Sequence, residues 1–464
     1  MIIRNFYDRR LAQASYLVGC PATGEALMID PMRDVRVYLQ MASWLGLKIT
    51  AVTETHIHAD YLSGTRQLSA ATGATMYLSG AGGPDWQYGY SDDPMVVLLN
   101  DGDLIRLGNL TLQAMHTPGH TPEHLAFLLS DPDATSLPHS LFAGDFVFVG
   151  DVGRPDLLER AVGKAGAMEQ GARDLFRSLR KLAELPDSLL IWPGHGAGSS
   201  CGKALGDTPV TSLGYQRRAN WALLAEMEDR FVDEILAGQP DPPYYFAEMK
   251  RLNQAGPDVL TDWPRPKHLT TAVGQLIDVR DFDEIRERCF DAAIAVPHCN
   301  SFTGWAGWVV RFDEPITLLA SDETQAQDAA RDLAAIGLDQ VAGWLSPADL
   351  ASSPSSGVPL VDGGGISEDV VVLDVRGGKE YLGSHIRNAK HIPFGHLQKR
   401  LAELPRDQQI VVHCATGGRS LIAYSILRKA GFKNVQELAN GVVSIESHWP
   451  ELMEEKLPSP ALAP

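Results

Sequence analysis

The sequence predicts an α/β protein built in three parts, and three observations carry that prediction. The alternating, half-buried strand pattern Leu47-Lys48-Ile49-Thr50-Ala51-Val52 runs into Thr55-His56-Ile57-His58-Ala59-Asp60-Tyr61, where three potential metal ligands fall within five residues. Towards the other end, the apolar run Ile410-Val411-Val412 delivers His413-Cys414 into the loop Ala415-Thr416-Gly417-Gly418-Arg419-Ser420, and a helical pattern follows. Between them, Gln275-Leu276-Ile277-Asp278-Val279-Arg280 repeats the strand end Leu373-Asp374-Val375-Arg376, which implies one domain present in two copies. A chain of 464 residues is long enough for these three parts.

In the first part, His56 and His58 stand at alternate positions of extended chain, so a strand-end turn can present both imidazoles to one ion. Their distant partners lie at three further strand ends: Met115-His116-Thr117-Pro118-Gly119-His120-Thr121, Leu141-Phe142-Ala143-Gly144-Asp145 and Trp192-Pro193-Gly194-His195-Gly196. Pro118 and Gly119 disfavour the helical turn that would stack His116 on His120, so His116 reads as a neighbour of the site.

Together these segments, over about residues 1 to 240, resemble the metallo-β-lactamase fold, an αββα sandwich with ligands on its strand-end loops. Binuclear members of that fold carry a second His after the Asp, where this chain has Tyr61. A phenol titrates near pH 10 and is a poor zinc ligand at neutral pH, so one metal is expected rather than two. The set His56, His120 and Asp145 is then two imidazoles and a carboxylate, which suits Fe(II) with open positions better than zinc.

Within the fold this combination resembles the persulfide dioxygenases. The resemblance implies one Fe(II) per chain held by His56, His120 and Asp145, with His58, Asp60, Tyr61 and His195 around the ligands. Gly153-Arg154-Pro155-Asp156 is similar to that family's Gly-Arg-x-Asp segment, and Arg154 is a candidate for holding the loop or a substrate carboxylate, or for a surface ion pair. Cys201, six residues after His195 in a Gly-rich loop, is either a persulfide-binding thiol or a small packing residue; Lys203 is placed to lower its pKa.

At the other end, a strand, a tight loop and a helix N-terminus surround Cys414 with backbone N–H groups that stabilise an anionic sulfur, so a thiolate is expected. With Asp374-Val375-Arg376 and Asn440-Gly441-Val442 the pattern resembles a rhodanese domain, in which Cys414 and Arg419 would be catalytic and Gly417 and Gly418 would cradle the substrate. In the earlier copy, Pro315-Ile316-Thr317-Leu318-Leu319-Ala320 leads into Ser321-Asp322-Glu323-Thr324-Gln325, so Ser321 stands near the Cys position beside two carboxylates. That copy is expected to carry no sulfur, and Cys289 and Cys299 lie outside its loop. The expected domains are residues 1–250, 251–353 and 354–464, with residues 352–365 as a linker and residues 239–266 as an ordered connector.

With 44% hydrophobic and 21% charged residues and no run of 18 apolar ones, no membrane span is expected. A formal charge of −18 disfavours nucleic acid or an anionic membrane as partner. Five cysteines without framework spacing, and an N-terminus without the apolar stretch of a signal peptide, point to a reducing, cytoplasmic setting. The expected function is iron-dependent oxidation of a low-molecular-weight thiol persulfide by O₂ to sulfite, coupled to sulfur transfer through Cys414, with thiosulfate as product and a homo-oligomer as a possible assembly. A zinc thioester hydrolase of glyoxalase II type and a non-enzymatic sulfur-sensing scaffold are the alternatives.

Overall fold

The structure, a computed structural model, describes residues 1–160, 166–203 and 205–454; the end of the third expected part, residues 455–464, lies outside them. The chain divides into two compact units, Met1–Asp262 with Ala335–Gly337, and Trp263–Ala334 with Leu338–Pro464.

The first unit holds two six-stranded sheets. One runs in chain order from Ile2–Asp8 to Val96–Leu99, antiparallel over its first three strands and parallel thereafter. The other runs from Leu104–Leu107 to Thr211–Ser212. Strand Leu110–His116 shows why they stack: Leu110, Leu112 and Ala114 alternate inward and meet Tyr16, Leu27 and Ile29 of the first sheet. The outer faces are covered by helices. Tyr38, Ala42 and Leu68 of Arg36–Trp44 and Thr65–Thr72 pack on Met28 and Val52, while Leu175 and Leu179 of Ala167–Arg180 pack on Leu141 and Ile191. The result is the expected αββα sandwich, and strands Lys48–Thr53, Leu110–His116, Ser140–Gly144 and Leu190–Pro193 each lead into a loop with an expected site residue.

The second unit contains two parallel sheets of matching order. Strands Ile294–Ala295, Gln275–Asp278, Ile316–Leu319 and Val341–Leu345 form one. Lys390–His391, Val371–Asp374, Ile410–His413 and Val435–Leu438 repeat that order in the other, with Leu360–Val361 added at its edge. The register settles the missing cysteine. Asp278 pairs with Leu319 as Asp374 pairs with His413, so Ala320, not Ser321, occupies the place of Cys414.

Residues 352–365 differ from the expected linker. Ser355–Ser356 pairs antiparallel with Cys289–Phe290, and Leu360–Val361 joins the five-stranded sheet, because the extended segment finds unpaired strand edges to satisfy its backbone. Helix Tyr245–Ala255, in the expected connector, lies inside the first compact unit.

Candidate functional site

His56, His120 and Asp145 converge: one ligand atom from each lies within 4.8 Å of the other two, and all three residues are buried. The tautomers are arranged for an ion. Thr55 Oγ1 donates its proton to Asp30 at 2.9 Å, so its 3.0 Å contact with His56 Nδ1 requires an N–H there and leaves Nε2 with its lone pair. His120 Nδ1 donates to the Arg154 carbonyl at 2.9 Å, which likewise frees its Nε2, 3.4 Å from Asp145 Oδ2. Neither carboxylate oxygen of Asp145 has a hydrogen-bond partner. A buried carboxylate facing two imidazole lone pairs is costly unless a cation lies between them, so these residues fit a metal.

The electrostatics agree. Burial, followed by the neighbouring imidazoles, pushes His56 well below the ordinary histidine range, and burial lowers His120. Burial opposes the charge on Asp145, but His195, His120, His58 and His124 outweigh it and hold the carboxyl below its usual value. Close backbone approach shapes the floor of the site: a Cβ on Gly153 would fall 1.9 Å from the Asp145 carbonyl oxygen, and one on Gly194 2.8 Å from Asp145 Oδ1.

The remaining expected residues surround this set. His58 hydrogen-bonds Asp30 at 3.0 Å; burial disfavours its charge, but Asp30 prevails and raises it to about 9. Tyr61 turns away, donating its phenol proton to the Asp30 carbonyl at 3.2 Å while its ring packs on His58, and burial raises its pKa well above 10. His195 donates from Nδ1 to the Ala12 carbonyl and points Nε2, 3.4 Å from each, at Asp60 Oδ2 and Asp145 Oδ1. His116 lies aside, bonded to the Pro122 carbonyl at 2.8 Å.

Of the roles open to Arg154, the geometry fits the holding of the loop. Fully buried, it grips Asp156 through Nε and Nη2 at 2.7 and 2.6 Å and donates to the Ser200 and Pro240 carbonyls, so a surface ion pair is ruled out. Cys201 does reach the site, but the expected activation by Lys203 fails: burial, then Asp145 and Asp60, raises its pKa well above 9. Lys203 instead bonds the Glu234 carbonyl and lies over Trp221.

Three residues escaped the reading of the sequence. Asp30, at a positive φ of 50°, accepts from Thr55 N, Thr55 Oγ1 and His58 and organises the whole loop. His124 accepts the Asp145 backbone N–H at 3.1 Å and stacks on His56; burial lowers it to about 3, so it stays neutral. Asn253, on helix Tyr245–Ala255, donates to the His58 and Tyr61 carbonyls, both at 2.8 Å. Only the spelling Thr121-Pro122-Glu123-His124, a histidine just ahead of strand Leu125–Ser130, offered a local signal for any of them. A cavity of about 500 Å³, lined by Asn5, Tyr7, Arg9, Tyr16 and Asp207, reaches His195.

In the second unit, Cys414 Sγ receives the Gly417 N–H at 3.1 Å and lies 3.5 Å from Ser420 Oγ, ahead of helix Gly418–Lys429. Gly417 takes a φ of 115°, and a Cβ on Gly441 would strike the Ala415 carbonyl at 2.3 Å, so both positions demand glycine. Arg419 is held by Glu380 in a two-pronged pair at 2.6 and 2.7 Å. Arg286, from the earlier copy, reaches the same loop and bonds the Gly417 carbonyl and Glu437.

Fold and loop constellation together define a metallo-β-lactamase-type metalloprotein with a rhodanese-like cysteine loop in the same chain. The sequence profile of the Metallo-beta-lactamase superfamily matches residues 8–195, and that of the Rhodanese-like domain matches residues 363–448. The mitochondrial persulfide dioxygenase ETHE1 of Bos taurus is 30% identical over 202 residues, covering 42% of this chain and 68% of its own length. A hydroxyacylglutathione hydrolase of Rhodospirillum rubrum is 36% identical over 180 residues, covering 39% and 60%. The crystal structure of a metallo-β-lactamase from Staphylococcus aureus superposes with a TM-score of 0.69 at 39% identity, over 75% of this chain and 99% of its own. The chain belongs to the persulfide dioxygenase family of the metallo-β-lactamase superfamily, joined to a rhodanese-like domain.

Proposed function

We propose that the chain oxidises a low-molecular-weight thiol persulfide with O₂ at an Fe(II) held by His56, His120 and Asp145, and carries sulfane sulfur on Cys414. The observation that supports this most is the pair of unpartnered Asp145 oxygens facing His56 and His120 while Tyr61 points away. His56, His120 and Asp145 would hold the iron, which would supply the redox chemistry between a sulfur anion and O₂. The overall reaction balances as R-S-SH + O₂ + H₂O giving R-SH + SO₃²⁻ + 2H⁺.

The protein's own part is positioning. Thr55 and the Arg154 carbonyl set the two imidazole tautomers, His124 anchors the Asp145 backbone, and the burial of the cluster excludes bulk water. The cavity beside His195 suits the carrier thiol, with Arg9 as its cation for a carboxylate. At Cys414, the sulfane sulfur of Cys-S-SH passes to sulfite, leaving Cys-SH and thiosulfate. Residues 251–353 act as a rhodanese-like domain without a nucleophile between the 1–250 and 354–464 domains.

Metal analysis and oxygen uptake test the reading. His56→Ala, His120→Ala and Asp145→Ala should each lose the iron and O₂ consumption with a thiol persulfide, while transfer at Cys414 survives. Near wild-type uptake in any one of them sinks the ligand assignment. Thioester hydrolysis with zinc as the native ion would move the protein to the hydrolase side of the superfamily.

A further inference from the structure

The loop that carries Cys414 is walled on one side by the earlier copy. A Cβ on Gly418 would fall 2.7 Å from the Trp305 ring, and one on Gly417 2.7 Å from Arg286 Nη2. Arg286 stands in the last turn of helix Phe282–Glu287. From there its guanidinium makes a two-pronged pair with Glu437, Nε to Oε2 at 3.1 Å and Nη2 to Oε1 at 3.2 Å, and Nη2 also donates to the Gly417 carbonyl at 3.2 Å. Glu437, on strand Val435–Leu438 and only 1% exposed, also accepts from Ser420 Oγ at 2.7 Å. Ser420 has a single hydroxyl proton, so at 3.5 Å from Cys414 Sγ it turns a lone pair to the sulfur. The Gly417 N–H, 3.1 Å away, supports negative charge on that sulfur, and Arg286 holds Gly417 at its φ of 115° through the carbonyl.

We propose that Glu437 and Arg286 are positioning residues that act on Cys414 in opposite senses: Glu437, by taking the Ser420 proton, favours the thiol, and Arg286, from the earlier copy, favours the thiolate. A thiolate facing the Ser420 lone pair, with a carboxylate behind it, is repelled, whereas an S–H donates to the same oxygen. Arg286 brings positive charge to the loop and fixes the N–H that meets the sulfur. The other charges around the loop are spent on one another: Glu380 holds Arg419, Arg376 holds Asp374, and His413 turns its ring to Asp374 at 3.7 Å. On ionisation the Cys414 S–H bond breaks and the proton leaves to solvent, while Ser420 keeps its own. The earlier copy, with Ala320 at the cysteine position, thereby sets how much of its neighbour's thiol is reactive. The purpose of this device rests on Cys414 as the sulfur carrier; its test does not.

The test is anaerobic alkylation of the full chain by iodoacetamide between about pH 6 and 9, followed at the Cys414 peptide by mass spectrometry. The thiolate is the form that reacts. Glu437→Gln removes the carboxylate charge and lets Ser420 turn its proton to the sulfur, so the rate at about pH 6 should rise roughly tenfold; Arg286→Ala should lower it by a similar factor. Arg286→Lys should recover part of that loss. In a Ser420→Ala background, Glu437→Gln should gain less, because no hydroxyl proton is there to turn. A pair kept only for folding would move both variants the same way. Rates that rise together or fall together therefore overturn the proposal, as does an unchanged pH profile in Glu437→Gln. Where Arg286→Ala does not fold, Arg286→Gln carries the same expectation. Sulfur transfer is read separately: its absence in the wild type would overturn the carrier role of Cys414 and leave opposed alkylation rates as support for this proposal.

Discussion

The two Asp-x-Arg copies of the second unit share a frame and differ at one loop. Arg280 grips Asp278 at 2.8 and 2.6 Å and donates to the Arg288 carbonyl; Arg376 grips Asp374 at 3.0 and 2.6 Å and donates to the Ser384 carbonyl. Glu284 and Glu380 both bond back to the backbone N–H three residues earlier. At the loop they part. Glu380 holds Arg419, whereas Glu284 accepts from Ser321, and Ala320 stands where the other copy has Cys414. The two frames match without the cysteine because the buried ion pair and the parallel strands do not depend on it. The earlier copy even lends Arg286 to the Cys414 loop.

The harshest way to break this comparison is to exchange the nucleophile. Cys414→Ser should reduce thiosulfate-linked sulfur transfer by at least about a hundredfold, as expected for a lost nucleophile, with metal content unchanged. Adding Ala320→Cys to that variant should restore nothing, because Ser321, Asp322 and Glu323 follow in place of a glycine cradle. Recovered transfer would show that the frame alone suffices.

The frame itself is next. Arg280→Ala and Arg376→Ala each strand a buried carboxylate, so each should cost on the order of 3–5 kcal/mol in denaturant unfolding. A large difference between the two would mean that the copies are not held alike. Arg286→Ala should have a smaller effect, slowing transfer at Cys414 several-fold without moving the Arg419–Glu380 pair, and unchanged kinetics would reduce Arg286 to a packing contact.

Acid separates the copies most gently. Burial raises Asp278 and pairing with Arg280 does not fully offset it, so its carboxyl stays above the usual range. Burial acts on Asp374 too, but Arg376 and then His413 outweigh it and hold it low; Leu319 fills the place of His413 in the earlier copy. A lowered carboxylate stabilises the fold above its unfolded pKa and loses that contribution as pH falls, whereas a raised one does the opposite. Acid should therefore weaken the later copy through Asp374 and not the earlier one through Asp278. In His413→Leu, the Asp374 resonance should titrate at higher pH in a carbon-detected NMR series.

How far the sequence revealed all this depends on how local each role is. His56, His120 and Asp145 announce themselves because each sits where a readable strand stops, and strand ends gather at one edge of a sandwich. Asp30, His124 and Asn253 act through bonds to residues 25, 21 and 195 positions away, and their neighbours in sequence carry no trace of those partners. Ser321 stands next to the Cys414 position and not at it, a distinction that a strand end read from composition lacks and only the pairing of Asp278 with Leu319 supplies. Residues 352–365 look like a linker by composition, yet pair with strand edges that no local window contains.

The bonds from Asn253 to the His58 and Tyr61 carbonyls also set an order of events during synthesis. The ligand loop is made 195 residues before the side chain that clamps it. At ordinary translation speeds that interval is roughly 10–40 s, during which both histidines exist without their final geometry. A nascent chain halted near residue 240 would carry every expected ligand of the first unit and still hold the loop loosely. The ligand loop thus takes its mature geometry only after helix Tyr245–Ala255 has emerged.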